Sequence, residues 1–292
     1  MTNEHHKTSP ADQLRALLAR PGLLLMVGCY DAISAKLVER AGFPLTFMSG
    51  FSVSAARLGL PDTGLLSYGE MVEQARTICA AVSIPVLGDG DTGYGNAINV
   101  KRTVHGYAAA GMAAVMIEDQ VWPKRCGHTP GKRVVSHREA LARIQAAVDA
   151  RNEGADILIL ARTDASDTDG LPEAIRRAQD FAAIGADILF VEAPTTEAEI
   201  QAIAAEVPGP KMVNLIEQGE TPLLPLPQLE RYGYKIAVFP LTLLMASMYA
   251  MQEALGALKK GRVAERLLDF GEVRNLVGFP DYYREEVRYA TE

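Results

Sequence analysis

The chain has 292 residues, of which 48% are hydrophobic and 22% charged, and its formal net charge is -7. This composition is typical of a globular protein with a large core, and the acidic charge argues against nucleic acid as a partner. No apolar run approaches the ~18 residues that cross a membrane, and neither a signal peptide nor a disulfide framework is indicated, so we expect a cytoplasmic protein.

Short apolar runs alternate with helical patterns along the chain. The predicted strands cover residues 23–28, 45–48, 85–88, 114–118, 157–162, 188–192, 211–215 and 235–239. The predicted helices cover residues 11–20, 32–41, 68–82, 97–110, 136–152, 172–184, 197–205, a short stretch near 228, and 243–260, while residues 49–64 are predicted as a loop. Eight strand–helix units in about 250 residues predict one domain, a closed (β/α)8 barrel, over residues 1–292.

The segment at about 262–292 follows the eighth helix and is predicted to be a helical appendage. It contains large apolar residues that would form an exposed patch on a monomer: Leu267, Leu268, Phe270, Tyr282 and Tyr283. We therefore expect these helices to pack on a neighbouring subunit of a homo-oligomer.

Two acids follow the third predicted strand directly, in the sequence GDGDTG at residues 88–93. Asp89 and Asp91 offer hard oxygen ligands two residues apart, which suit Mg²⁺ better than Ca²⁺. Asp62 and Glu118 could complete the shell if they lie on the same barrel face. The alternative is a solvated turn rich in Asp and Gly. Zinc is disfavoured because the acids have no histidine or cysteine pair at ligand spacing.

The fourth strand leads into a loop, residues 116–132, that carries a cysteine among basic residues. Lys124, Arg125 and His128 surround Cys126, and we expect these cations to favour the thiolate. Cys126 is therefore a candidate acid or nucleophile. Gly127 and Gly131 would give the loop the backbone freedom to close. The alternative is a surface loop with an incidental free cysteine.

Three polar residues stand at the ends of later strands: Arg162, Glu192 and Asn214. In a barrel, polar residues at these positions face the active site, and an arginine can grip a carboxylate or phosphate through two hydrogen bonds. Each of the three could instead belong to a structural ion pair.

Several phrases resemble the isocitrate lyase and phosphoenolpyruvate mutase superfamily. They include LGLPDTG, GDGDTGYGN, IEDQVWPKRCGH, ARTDA, VEAP, NLIEQGETP and FPLT, and they span residues 28–245. The lysine–arginine–cysteine–glycine–histidine segment at 124–128 is specific to the lyase branch. CYDAISA, SGFSVSA, DQVWPKRCGH and PLT most resemble the 2,3-dimethylmalate lyase and oxaloacetate hydrolase group, and methylisocitrate lyases come next.

The resemblance implies Mg²⁺, with Mn²⁺ as a substitute, anchored by Asp89 and Asp91 and contacted through water by Asp62 and Glu118. It also implies that Ser49, Gly50 and Arg162 hold a keto-acid carboxylate, and that Cys126 is the general acid. We expect further catalytic or substrate-binding roles for His128, Glu192, Phe47, Lys124, Arg125, Gly127, Asn214 and Pro240. The resemblance also implies a homotetramer, or at least a dimer, in which the C-terminal helices are swapped between subunits.

The implied activity is a carbon–carbon lyase that cleaves a 2-hydroxy dicarboxylate, of the 2-alkylmalate, 2,3-dimethylmalate or methylisocitrate type, into an α-keto acid and a short carboxylic acid. Phe47 and Phe51 depart from the family's tyrosine and glycine, which leaves the base unassigned and predicts a smaller pocket. The alternatives are oxaloacetate hydrolysis or decarboxylation, phosphonate mutase or hydrolase chemistry, which Cys126 disfavours, and a non-catalytic barrel that binds a metal and a keto acid.

Overall fold

Residues 8–291, which the computed structural model describes, contain eight parallel strands that close into a barrel in chain order. The strands are β1 (Leu24–Cys29), β2 (Thr46–Met48), β3 (Val86–Asp89), β4 (Ala114–Glu118), β5 (Leu158–Thr163), β6 (Ile188–Val191), β7 (Lys211–Asn214) and β8 (Ile236–Phe239). β1 pairs with β2 on one side and with β8 on the other, which closes the sheet. The predicted (β/α)8 architecture is confirmed.

Helices surround the barrel and begin largely where the sequence supplies caps. They are α1 (Pro10–Ala19), α2 (Ala32–Arg40), α3 (Gly50–Leu58), α4 (Tyr68–Ala81), α5 (Ala97–Ala109), α6 (His137–Asn152), α7 (Ala165–Thr168), α8 (Leu171–Ile184), α9 (Glu197–Glu206) and α10 (Leu226–Tyr232). Asp31 caps α2, because its carboxylate accepts a hydrogen bond from the Ser34 N–H at 2.7 Å. Such a bond satisfies one of the N–H groups that a helix start leaves unpaired.

The helix α3 corrects the prediction that residues 49–64 form a loop. Ser49 caps this helix by accepting a hydrogen bond from the Ser52 N–H, and Gly59 ends it in the left-handed conformation at φ 64°. A capping serine and a terminal glycine are the usual helix boundaries. The remainder of the segment, including Asp62, does form a loop.

The barrel interior is filled by alternate strand residues, as expected for a packed core. Met26, Phe47, Leu87, Met116, Leu160, Phe190, Met212 and Val238 belong to one buried cluster. Ala11, Leu14 and Leu17 of α1 join the same cluster. A second, larger cluster lies between the outer face of the strands and the helices. The polar strand residues Asp89, Glu118, Arg162 and Asn214 stand at or next to the carboxyl ends of β3, β4, β5 and β7.

One compact unit ends at Thr242, and a second begins at Leu243. The helix α11 (Thr242–Lys259) starts at this boundary, and α12 (Phe270–Val277) and α13 (Phe279–Arg288) belong to the second unit. Many apolar side chains of the second unit are exposed, among them Leu267 at 66%, Phe270 at 75% and Val287 at 78%. In the described part of the chain, no helix is long and apolar enough to span a bilayer.

Candidate active site

A cavity of about 40 Å³ lies at the carboxyl ends of the strands, with room for only a few water molecules. Most of the predicted site residues line it: Phe47, Ser49, Asp62, Asp89, Lys124, Arg125, Cys126, Gly127, His128, Arg162, Glu192, Asn214 and Pro240. Apolar side chains complete the wall, namely Phe51, Met116, Phe190, Met212, Ile216, Val238 and Leu241. The predicted residues therefore converge on one small chamber with a charged side and an apolar side.

The three remaining predicted residues lie directly behind this wall. A Cβ atom on Gly50 would stand 2.5 Å from Asp89 Oδ2, so the start of α3 touches that carboxylate. Asp91 Oδ1 is 2.8 Å from Lys124 Nζ, and Glu118 Oε2 is 3.3 Å from Arg162 Nε. All three thus contact side chains that line the cavity.

Lys124 neutralises the acidic side of the chamber. Its Nζ lies 2.6 Å from Asp62 Oδ1 and 2.8 Å from Asp91 Oδ1, with the lysine side chain only 3% exposed. Burial raises the pKa of Asp91 to about 7, with Lys124 opposing the shift and Asp89 adding to it. Burial alone would lower the pKa of Lys124, but the charges of Asp91 and Asp62 outweigh it, so the pKa lies well above its usual range. Lys124 is therefore an ammonium paired with acids, instead of a cation beside the cysteine.

The chemistry of the acidic groups fits a magnesium ion. Four carboxylates supply hard oxygens, and Glu118 Oε1 is buried without a hydrogen-bond partner among residues 8–291. Such an oxygen is costly unless a cation or donor meets it. No three acid, histidine or cysteine side chains of the described chain are already arranged as a metal site. The Lys124 ammonium now pairs with Asp62 and Asp91, two of the four carboxylates that would hold such an ion.

The Arg162 guanidinium is held by Asp164, which follows the end of β5. Its Nε and Nη2 donate to Asp164 Oδ2 at 2.8 Å and Oδ1 at 2.9 Å, and its Nη1 lies 3.5 Å from Glu192 Oε2. This pair with Asp164 matches the alternative prediction of a structural ion pair, and the two-bond grip of Arg162 on a ligand stays a prediction. A ligand carboxylate would meet Nη1. Asp164 was not singled out from the sequence, although it stands in the quoted phrase ARTDA.

His128 connects the loop that carries Cys126, residues 116–132 and here called the cysteine loop, with the segment after β7. The Glu220 N–H donates to His128 Nδ1 at 3.1 Å, and His128 Nε2 lies 2.8 Å from Glu192 Oε1. Because Nδ1 accepts, the proton of the neutral ring belongs on Nε2, facing Glu192. Burial would raise the pKa of Glu192, but Arg162 and His128 outweigh it and lower the pKa to about 2. Glu192 is therefore an ionised anchor and not a proton donor.

Cys126 corrects the expectation of a favoured thiolate. Burial raises its pKa to about 11, and a hydrogen bond with the His128 backbone only partly offsets that. The cations that were expected to help are engaged elsewhere: Lys124 pairs with acids, and Arg125 donates to the Pro130 carbonyl at 3.1 Å. Cys126 consequently keeps its proton at neutral pH, which suits an acid better than a nucleophile.

Comparison with known proteins gives one family. The model of the phosphoenolpyruvate phosphomutase family matches residues 14–259. The chain is 41% identical over 285 residues to 2,3-dimethylmalate lyase of Eubacterium barkeri, covering 96% of this chain and 98% of that protein. It is 42% identical over 282 residues to a carboxyvinyl-carboxyphosphonate phosphorylmutase of Arabidopsis thaliana, covering 94% of this chain and 83% of the relative.

Solved structures agree with that assignment. Oxaloacetate acetylhydrolase bound to 3,3-difluorooxalacetate superposes with a TM-score of 0.93 at 32% identity, covering 98% of both chains. Phosphonopyruvate hydrolase in complex with oxalate and Mg²⁺ superposes with a TM-score of 0.85 at 31% identity, covering 96% of this chain and 99% of the other.

Proposed function

This chain belongs to the phosphoenolpyruvate mutase and isocitrate lyase superfamily and is a lyase of it, and we propose that its reaction is Mg²⁺-dependent cleavage of a 2-alkylmalate or 2,3-dimethylmalate. The products would be an α-keto acid and a short carboxylic acid. The observation that carries the proposal is the position of the Cys126 thiol, which lines the same chamber as Arg162, Asp62 and Asp89, and burial raises its pKa to about 11. The likeness to 2,3-dimethylmalate lyase supports this substrate class.

The proposed metal ligands are Asp89 and Asp91, with Asp62 and Glu118 contributing through water. When bound, Mg²⁺, or Mn²⁺ in its place, would supply the positive charge that favours loss of the substrate hydroxyl proton and stabilises the developing enolate. The solved complex of phosphonopyruvate hydrolase with oxalate and Mg²⁺ supports the choice of this ion.

Side chains and backbone of this chain would bind the substrate and supply the proton that C3 receives. Ser49, Gly50 and Arg162 Nη1 would hold the keto-acid carboxylate, and the apolar wall would receive the alkyl groups. A base takes the proton of the C2 hydroxyl, an electron pair of that oxygen forms the ketone at C2 as the C2–C3 bond breaks, and the bonding pair stays on C3 of the departing carboxylic acid. Cys126 then donates its proton to C3, and burial of the thiol ensures that the proton is present at neutral pH.

Hydrolysis or decarboxylation of oxaloacetate is the second candidate. The structural likeness to oxaloacetate acetylhydrolase favours it. The phosphorylmutase relative supports phosphonate chemistry. We rank that third because the proposed reaction gives Cys126 a role and a phosphorus–carbon rearrangement does not.

The variant Cys126→Ser distinguishes the first two candidates. Serine is a far weaker acid than cysteine, so we expect 2-alkylmalate cleavage to fall by about 10² to 10⁴ fold. Decarboxylation of oxaloacetate should persist in large part, because water can protonate the enolate it leaves. Both rates are measured by mass spectrometry with Mg²⁺ present.

The matched control is Cys79→Ser on α4, which alters a thiol outside the chamber and should leave both rates unchanged. Cleavage of a 2-alkylmalate by Cys126→Ser at near the wild-type rate would show that the thiol is not the acid.

We further propose that the protein is a homotetramer, or at least a dimer, through its C-terminal helices. The many exposed apolar residues of α11 to α13 support this, because soluble monomers seldom expose large apolar patches. The segment at about 262–292 would then be an oligomerisation appendage that each subunit exchanges with a neighbour.

A further inference from the structure

The C-terminal end of the cysteine loop, residues 116–132, carries a buried lysine that the proposed chemistry does not use. The side chain of Lys132 is 1% exposed, and its Nζ donates to the Gly127 carbonyl at 2.5 Å. The same ammonium lies 3.5 Å from Asp164 Oδ1 and 3.5 Å from Asp167 Oδ2. A buried ammonium is costly unless it is paired and hydrogen-bonded. Lys132 therefore fixes the loop backbone to the end of β5.

The backbone that Lys132 holds is the one next to the reactive thiol. Gly127 follows Cys126, and a Cβ atom on it would stand 2.5 Å from both Arg162 Nη2 and Glu192 Cγ. The loop thus lies in direct contact with the two strand-end side chains of the chamber. Asp164, which faces the Lys132 ammonium, is also the carboxylate that fixes Arg162. One ammonium accordingly connects the loop position to the arginine that would hold the substrate.

This loop forms one side of the chamber, since residues 124–128 all line the cavity. The Gly127 backbone lies against Arg162 and Glu192, so the loop is closed over these strand ends. Loops of this kind admit a substrate when open and keep water out when closed. The contact between Lys132 and Gly127 belongs to the closed position.

We propose that Lys132 is a positioning residue that holds the cysteine loop closed, acting through the Gly127 carbonyl to place Cys126 against Arg162 and Glu192. It does not touch the substrate. The inference rests on the proposed function, because it takes the closed loop as the state in which the thiol donates its proton.

The test compares Lys132→Met with Lys132→Arg and with Arg133→Met, an exposed cation at the next position. Two reporters follow the loop without any substrate. Trp122 is the only tryptophan in the sequence, so its quenching by acrylamide measures loop opening. The exposed Arg125 allows cleavage by an arginine-specific protease, and mass spectrometry identifies the cut after this residue.

A hydrogen bond from a charged group changes an equilibrium constant by about tenfold to a hundredfold. We expect Lys132→Met to raise the rate of cleavage after Arg125 by about tenfold or more and to increase quenching of Trp122. With 2,3-dimethylmalate, kcat should fall while the Mg²⁺ affinity, measured by calorimetry, stays unchanged. Lys132→Arg should recover part of the closed loop, and Arg133→Met should behave as the wild type.

Cleavage and quenching of Lys132→Met at wild-type levels would overturn the proposal. If the loop responds as expected but the wild-type protein cleaves no 2-alkylmalate, the positioning role stands and the proposed function fails. Circular dichroism checks folding of each variant. Should Lys132→Met not fold, Lys132→Gln, which keeps a donor but loses the charge, is judged by the same two loop measurements.

Discussion

Burial decides the charge of individual side chains in this chamber more than their sequence neighbours do. The Cys126 thiol has three basic residues within two positions, yet its pKa rises to about 11 because desolvation of the thiolate dominates. Glu192 is equally buried, but it faces Arg162 and His128 and has a pKa of about 2. The pKa of a buried group in this chamber therefore depends on charged partners in direct contact and not on charged neighbours in the sequence.

The raised pKa of Cys126 predicts its reactivity with iodoacetamide. Only the thiolate reacts, so below the pKa the rate should increase about tenfold per pH unit. An ordinary cysteine, with a pKa of about 8.5, levels off near pH 9. Cys126 should instead continue to gain reactivity up to about pH 11. Peptide mass spectrometry of the alkylated protein between pH 7 and 10 follows this, with a free small thiol as the reference. A plateau of Cys126 alkylation near pH 8 would contradict the assignment.

At the scale of secondary-structure elements, the start of α3 sets the position of the Asp89 carboxylate. A methyl group on Gly50 would stand 2.5 Å from Asp89 Oδ2, so Gly50→Ala should push this proposed ligand aside. Since Mg²⁺ demands near-ideal octahedral geometry, we expect its affinity to fall by about tenfold or more in a calorimetric titration, with the fold retained.

Gly69→Ala is the matched control. Gly69 also lies in the first turn of a helix, α4, but its added methyl would have no atom closer than Ser67 Oγ at 4.0 Å. It should leave Mg²⁺ affinity unchanged and, if anything, stabilise the helix. Equal affinities of the two variants would remove Asp89 from the proposed metal site.

Element-scale features were predictable from sequence where one local signal determined them. Each barrel strand is a short apolar run between helical patterns, so its type followed from the pattern alone. The helix α3 was missed because its serine and glycine boundaries are also typical of loops. The convergence of Asp89, Cys126 and Arg162 was predictable from barrel geometry. The partners of Lys124 and Arg162 were not, since ion pairs across neighbouring strand ends depend on distances that arise only in the closed barrel.

At the scale of the whole molecule, the exposed apolar residues predict association. We expect light scattering at micromolar concentration to give a mass near four times the chain mass of 31.5 kDa, or at least twice that mass. Leu267→Glu together with Phe270→Glu should lower the measured mass, because charges at an apolar interface oppose its desolvation.

Ile98→Glu provides the control for this substitution, since Ile98 is 72% exposed on the barrel helix α5. It should leave the mass unchanged. A fully active wild-type protein with the mass of a single chain would contradict the oligomer prediction.

The closure of β1 onto β8 has a consequence for synthesis of the protein. Leu24 pairs with Ile236, and the site of any Cβ atom on Gly28 is taken by the Pro240 backbone, so the two ends of the barrel unit complete one another. During translation the first strand must wait, with one edge unpaired, until almost the whole unit has left the ribosome. Such long-range pairing forms late and slowly. The chamber therefore cannot exist on a partly made chain. In a nascent chain that stops before β8, one edge of β1 stays unpaired, and this exposed edge is a target for chaperones.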